Sequence, residues 1–518
     1  MKIYYNANIY DTDASAFVEE DGKIVFVGND EDALKYNGET IDLNGKYVYP
    51  GFNDSHMHVV NYGIFLKNVS LYEHTSSLQE MLEELKKHVE EGKWLKGRGW
   101  NHDYFTDVKR FPTREDLDTV SQDVPIVITR ACGHICVANS KAIELAHIDD
   151  PKAEDTYDLE TGIFKENAVY MIFDAQPKPT VEDIKEYVLL AQDKLHSYGV
   201  TSAQSDDLLS ATSDYKEALI ALEQLRDENK LTLRIYEQSQ FLDVESLKEF
   251  INKGYKTGVG NEFFKIGPLK VLGDGSLGAR TAYMSEQYYD DPSTQGIPVY
   301  PKEVIEEMFE TAHRNDMQIA IHAIGDGILD WILDTYKKIL KEYPRNDHRH
   351  GVVHCQITRE DQLQDFKNLN LHAYIQSIFI DYDNHIVEQR VKPELAKTSY
   401  NFKRLFDDAC ASNGSDAPVE NPDVLKGIQL AVTRTSIDGT GPYLLDQSLT
   451  VKEAIDSFTK NGAYASFEED VKGQIKEGMY CDFVVLEKDL LNVDVQTIKD
   501  VKVLETYVGG KRVYQNKC

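Results

Sequence analysis

The sequence predicts an α/β fold, a closed (β/α)8 barrel of the TIM type, on two observations. Eight short stretches read as core strands, near residues 51–55, 200–204, 233–237, 269–272, 318–323, 352–355, 372–376 and 410–415. Helical periodicity separates most of them, most clearly over residues 181–198, 302–315 and 328–343. Strand–helix alternation places successive strands parallel, and eight such units close on themselves. The same architecture puts reactive groups at the carboxyl ends of the strands.

The first and second strands are separated by about 140 residues, far more than a βα connection needs. Residues 62–180 are therefore expected to form an insertion over the mouth of the barrel, with strand candidates at 94–99 and 125–131. The two ends of the chain share a third texture. Ile24–Gly28 follows a turn at Asp21-Gly22, and Val503–Val508 runs into the hairpin signal Gly509-Gly510. Residues 1–50 plus 466–518 are predicted to form one small β-sandwich domain, which leaves 51–61 plus 181–465 for the barrel.

Composition narrows the function. Hydrophobic residues at 41% and charged residues at 28% are ordinary for a folded chain, so extensive disorder is not expected. With 56 basic against 88 acidic residues, the net charge of −32 repels phosphate backbones and anionic lipid. Nucleic acid and membranes are thus excluded as expected partners, and a small-molecule substrate is favoured. The six cysteines include no CxxC pair. No stretch approaches the ~20 apolar residues of a membrane span. A reduced cytoplasm is the simplest expected home.

The chemistry lies in a set of polar residues at strand ends. Pro50-Gly51-Phe52-Asn53-Asp54-Ser55-His56-Met57-His58 places His56 and His58 on one side of an extended segment, where both reach one cation. Neutral imidazoles suit zinc and similar ions. His322 ends Ile319-Ala320-Ile321-His322, His354 ends Val352-Val353-His354, and Asp416 follows Asn413-Gly414-Ser415. A lone histidine at such a place is usually a hydrogen-bonded structural residue. Several on different strands, in chain order, are hard to explain as packing. Lys270 sits within Leu269-Lys270-Val271-Leu272, an otherwise apolar strand. A buried lysine needs a partner or neutralisation. Pairing with Asp274 or another acid is one reading. A carbamate formed with carbon dioxide, able to bridge two cations, is the other.

This order, HxH, Lys, His, His and Asp, resembles the amidohydrolase superfamily. The stretch Lys270 through Ala282 is similar to its amidohydrolase-3, or YtcJ-like, branch, which includes N-substituted formamide deformylases, and the tail Gly473 through Leu486 is similar to the superfamily's closing β-sandwich strand. Cys481 departs from the alanine usual in that tail. The resemblance implies two divalent metal ions, zinc foremost. His56 and His58 would hold the first, His322 and His354 the second, and carboxylated Lys270 would bridge them. Asp416 would touch the first metal and act as general base and acid, through a metal-activated hydroxide, on a non-peptide C–N bond of the amide or formamide type. It also implies substrate contacts from His134 and Trp100, and a homodimer. A deaminase, an ester or lactone hydrolase on the same barrel, and a catalytically silent regulator are the alternatives.

Overall fold

The computed structural model describes residues 1–130, 135–148, 150–153, 156–165 and 168–517. The chain forms two compact units, Met1–Tyr62 with Val181–Cys518, and Gly63–Thr180.

In the larger unit, eight strands lie side by side in chain order. They are β1 (Phe52–Met57), β2 (Val200–Ser205), β3 (Arg234–Gln240), β4 (Phe264–Leu272), β5 (Ile319–Ala323), β6 (Gly351–His354), β7 (His372–Ile375) and β8 (Ser412–Asn413). Their ladders are parallel throughout. Just past β8, the Asp416 N–H donates to the His56 carbonyl at 2.8 Å and the His58 N–H donates to the Ala417 carbonyl at 2.9 Å, so the last strand's continuation is joined to the first. Gly414 permits that approach: a Cβ there would lie 2.5 Å from the His56 nitrogen.

Helices fill the intervals between strands, and their apolar faces explain why they form. Lys302–Arg314 buries Ile305, Met308, Phe309 and Ala312, the spacing of one helical stripe. Asp326–Glu342 buries Ile328, Leu329, Ile332, Tyr336 and Ile339 in the same way. β4 departs from expectation by starting at Phe264, ahead of Gly267 and Pro268. Proline cannot donate to a central ladder. The strand accommodates it through a register shift, in which the four residues Ile266 to Leu269 oppose the three residues Glu237 to Ser239.

The termini meet in one seven-stranded sheet, in which Glu39–Pro50 pairs with Lys2–Ile9 on one side and Phe483–Leu486 on the other. This differs from two separate sandwich layers. Tyr4 packs on Tyr507 at 5.6 Å and Phe17 on Phe483 at 5.1 Å between ring centroids. Each pair spans three strand intervals, about 14 Å in a flat sheet. The sheet therefore coils around its aromatic core instead of stacking on a second one. It is tied to the barrel by a buried pair: Arg234 of β3 donates to both carboxylate oxygens of Asp482, at 2.6 and 3.0 Å.

The smaller unit has its own seven-stranded sheet, which includes Leu95–Trp100 and Ile126–Arg130 in parallel. Its core gathers Leu71, Met81, Leu85, Phe105, Ile126 and Ile128. Among the described residues no helix is long and apolar enough to cross a membrane.

The amino-terminal side of β6 carries histidines that must stay neutral. His348 Nδ1 accepts from the His350 N–H at 3.0 Å, and its Nε2 faces the Leu369 carbonyl at 3.0 Å. A ring nitrogen that accepts from a backbone N–H has no room for a proton. Burial first, then Arg345 and His313, pushes His348 down to about 4. Because this value is depressed below the unfolded one of about 6.5, the unfolded chain binds the extra proton. The contribution is complete above about pH 6.5 and is lost as pH falls toward 4, at about 1.4 kcal/mol per pH unit. His348→Asn, which keeps an acceptor there, is expected to flatten the pH dependence of stability by that slope in urea titrations between pH 6.5 and 4.

Candidate metal centre

Six side chains named from the sequence converge at the carboxyl ends of the strands. His56 comes from β1 and His58 from just beyond it, Lys270 from β4, His322 from β5, His354 from β6, and Asp416 follows β8. One oxygen of Asp416, Oδ1, lies 3.3 Å from His56 Nε2 and 3.1 Å from His58 Nε2. The Lys270 ammonium is 3.5 Å from His56 Nε2. The His354 ring lies 5.5 Å from that of His56 and 4.5 Å from that of His322, between centroids.

The outward nitrogen of each ring is fixed by an oxygen acceptor. His56 Nδ1 donates to Gln238 Oε1 at 2.7 Å, and the Gln238 amide is itself oriented by donation to the Ser55 carbonyl. His58 Nδ1 donates to the Asp206 carbonyl at 2.9 Å. His354 Nδ1 donates to Gln376 Oε1 at 2.8 Å, and Gln376 is held through the Tyr374 carbonyl. His322 is reversed: its Nε2 donates to the Gly275 carbonyl at 3.1 Å and lies 3.3 Å from Asp274 Oδ1. These contacts select the tautomers. In their neutral forms His56, His58 and His354 keep a bare Nε2, and His322 keeps a bare Nδ1. Outer partners of this kind orient metal-binding imidazoles.

The result is a convergence of lone pairs. His56 Nε2, His58 Nε2 and Asp416 Oδ1 meet as acceptors, and one ligand atom from each lies within 4.8 Å of the others. Acceptors so placed repel unless a cation or proton lies among them. In the metal-free chain a proton takes that place, held between the imidazoles and the carboxylate. Burial by itself would raise the Asp416 carboxyl, but hydrogen bonds from His56 and His58 outweigh it and hold it well below the usual range. Burial would lower His58, yet Asp416 lifts it to about 9. His56 is pushed down to about 4, by burial and then by the Lys270 charge. The donor set, imidazoles with a carboxylate, fits zinc or a similar divalent ion.

Backbone strain gathers at the same place. His354, Cys355 and Asp416 have φ of 79°, 50° and 57°, a region that side chains other than glycine rarely occupy. Asp54 stitches the strand ends together, accepting from the backbone and hydroxyl of Ser415 and from the His56 N–H.

Trp100 and His134 complete the residues named from the sequence. Gly99, at φ +109°, and the register break between Arg98 and Trp100 turn the Trp100 ring into the smaller unit's own core, with Leu71, Leu85 and Phe105. His134 lies outside the described residues. Conversely, Asp206, Gln238 and Gln376 were not anticipated, and Asp274, weighed as a partner for Lys270, lies beside His322 while Asp206 meets the lysine. Their signal was available in part: β3 reads Arg-Ile-Tyr-Glu-Gln-Ser-Gln and is buried along nearly its whole length. Four consecutive polar residues in a buried strand require partners.

Comparison with known proteins places this geometry in context. Residues 39–514 match the group described as the amidohydrolase family. YtcJ of Bacillus subtilis (strain 168) is 30% identical over 514 residues, covering 96% of this chain and 95% of that protein. The N-substituted formamide deformylase of Arthrobacter pascens is 25% identical over 543 residues, covering 98% and 97%. The crystal structure of an uncharacterized metal-dependent hydrolase from Pyrococcus horikoshii OT3 superposes with a TM-score of 0.81 at 33% identity, covering 95% of this chain and 99% of that one.

Proposed function

The chain belongs to the amidohydrolase family of metal-dependent hydrolases, and on that premise we propose that it cleaves a non-peptide carbon–nitrogen bond, of the amide or formamide type, in a small substrate. The observation that carries this reading is the convergence of potential ligand atoms from His56, His58 and Asp416 within 4.8 Å of one another. Similarity to a formamide deformylase supports the choice of bond.

His56, His58 and Asp416 would hold one divalent ion, zinc foremost. His322 Nδ1 and His354 Nε2 would hold a second, with Lys270 as a carbamate between them. When bound, such ions supply Lewis acidity, which lowers the pKa of water and polarises a carbonyl. The chain's own residues do the rest. Gln238 and the Asp206 carbonyl keep the His56 and His58 lone pairs aimed inward. Asp416 takes a proton from the attacking water at its carboxylate and returns it to the leaving nitrogen. A homodimer and a cytoplasmic location complete the proposal.

One observation favours a second reading. The Lys270 ammonium donates to Asp206 Oδ2 at 3.1 Å. Where this ion pair persists and the lysine stays an ammonium, it bridges no metals, and a one-metal centre suits a deaminase or an ester or lactone hydrolase on the same barrel. Elemental analysis joined to a substrate panel separates the two. Two metals per chain and turnover of an N-formyl or N-acyl amine are expected. One metal per chain with turnover only of ring amines, esters or lactones would replace the first reading by the second. Full metal occupancy with no turnover across the panel would favour a silent regulator.

A further inference from the structure

Asp206 has no place in the ligand set, yet it touches two members of it, His58 and Lys270. It follows β2 directly and is 2% exposed. Its backbone is pinned to the end of β1 on both sides: the N–H donates to the Met57 carbonyl at 2.9 Å, and the carbonyl accepts from His58 Nδ1 at 2.9 Å. Its carboxylate accepts from Lys270 at 3.1 Å. Gln240, with its amide nitrogen turned inward, donates to both carboxylate oxygens at 3.0 and 3.3 Å. Gln240 and Lys270 are direct partners across the β3–β4 ladder, so their side chains leave the sheet together toward Asp206.

We propose that Asp206 is the positioning residue that holds the nitrogen of Lys270 in place before and after it becomes a carbamate, an inference that rests on the carboxylated-lysine reading above. Carboxylation requires the ammonium to release one proton to solvent. The freed lone pair then bonds to the carbon of carbon dioxide, and a C–O π pair moves onto oxygen. A second proton leaves the nitrogen, so RNH3+ and CO2 give RNHCOO− and two protons. The carbamate nitrogen keeps one N–H. Asp206 Oδ2, already the acceptor for the ammonium, remains an acceptor for that hydrogen.

A long lysine side chain carries about 2 kcal/mol of rotamer entropy. With its nitrogen fixed at one end, the new carboxylate can swing only about the C–N bond, and two metals can find it. A bare counter-ion would behave differently. It would attract the ammonium and repel the carbamate, opposing the second metal. The amide contacts from Gln240 offset that repulsion by keeping the Asp206 oxygens solvated by donors.

The test uses the full-length protein reconstituted with zinc and 13C-bicarbonate. Carbon NMR reads the carbamate, elemental analysis reads the metals, and thermal melting confirms the fold. Wild type is expected to show a carbamate resonance and two metals per chain. Asp206→Asn keeps an oxygen acceptor in place and is expected to retain both. Asp206→Ala is expected to lose about tenfold in carbamate signal and second-metal affinity. Asp206→Glu keeps the charge but displaces the oxygens by one methylene, and is expected to lose signal too, which preserves the test if the alanine variant does not fold. Undiminished carbamate in the alanine or glutamate variant, or its loss in the asparagine variant, overturns the role of Asp206. Absence of carbamate from wild type overturns the reading of Lys270 instead.

Discussion

Asp416→Asn is expected to lower kcat on the best substrate of the panel by about 10²–10⁴-fold, equivalent to roughly 3–5 kcal/mol, with metal content and melting temperature close to wild type. The exchange is conformationally clean. Asp416 lies at φ 57°, and asparagine tolerates this left-handed region as readily as aspartate. The amide oxygen can still face the two imidazoles that lie 3.3 and 3.1 Å from Oδ1. What disappears is the capacity to accept a proton from water and pass it to a leaving nitrogen. Kinetics and elemental analysis on the same sample check this. Activity falling in step with metal content would make Asp416 a ligand only, and undiminished kcat would move the proton transfer to another group.

Asp482→Ala is expected to destabilise the larger unit by about 3–5 kcal/mol, the range for removing one partner of a buried ion pair. Arg234 is 3% exposed, stacks 3.9 Å from the Tyr480 ring, and spends two of its donors on Asp482. Asp482 Oδ1 also accepts from the Gly509 N–H at 2.8 Å. Truncation leaves the buried guanidinium with only the exposed Glu262 carboxylate among the described residues, 3.9 Å away, and takes the acceptor from a backbone donor. Replacing both partners, as in Arg234→Met with Asp482→Leu, removes the stranded charge and is expected to recover most of the loss. Urea unfolding followed by far-UV circular dichroism measures each. A single-variant cost below about 1 kcal/mol, typical of an exposed pair, would show that the bridge is solvated in solution.

Much of this protein was legible because its signals are local. Periodicity of 3.6 marked helices such as Lys302–Arg314, and short apolar runs marked the barrel strands. The ligand candidates were legible because histidine, lysine and aspartate are conspicuous at strand ends, and chain order alone assigns them to different strands. What the sequence left dark is pairwise. Nothing near Asp206 signals that its carbonyl sets the tautomer of His58 or that its carboxylate meets Lys270, because those partners are separated by 148 and 64 positions in the chain. Gln238 and Gln376 look alike in sequence to any polar strand residue, and only closure of the barrel turns their amide oxygens onto His56 and His354. Trp100 shows the same limit from the other side: a single left-handed glycine and a register break send its ring into a core.

By itself, then, the sequence determined which residues could bind a cation and which segments would become strands and helices, since both depend on residue type and short-range spacing. Tertiary structure decided which nitrogen each imidazole presents, which acid meets the buried lysine, and how the terminal strands combine. Those choices turn on hydrogen bonds a few ångströms long between groups far apart in the chain, and such distances exist only once the barrel has closed.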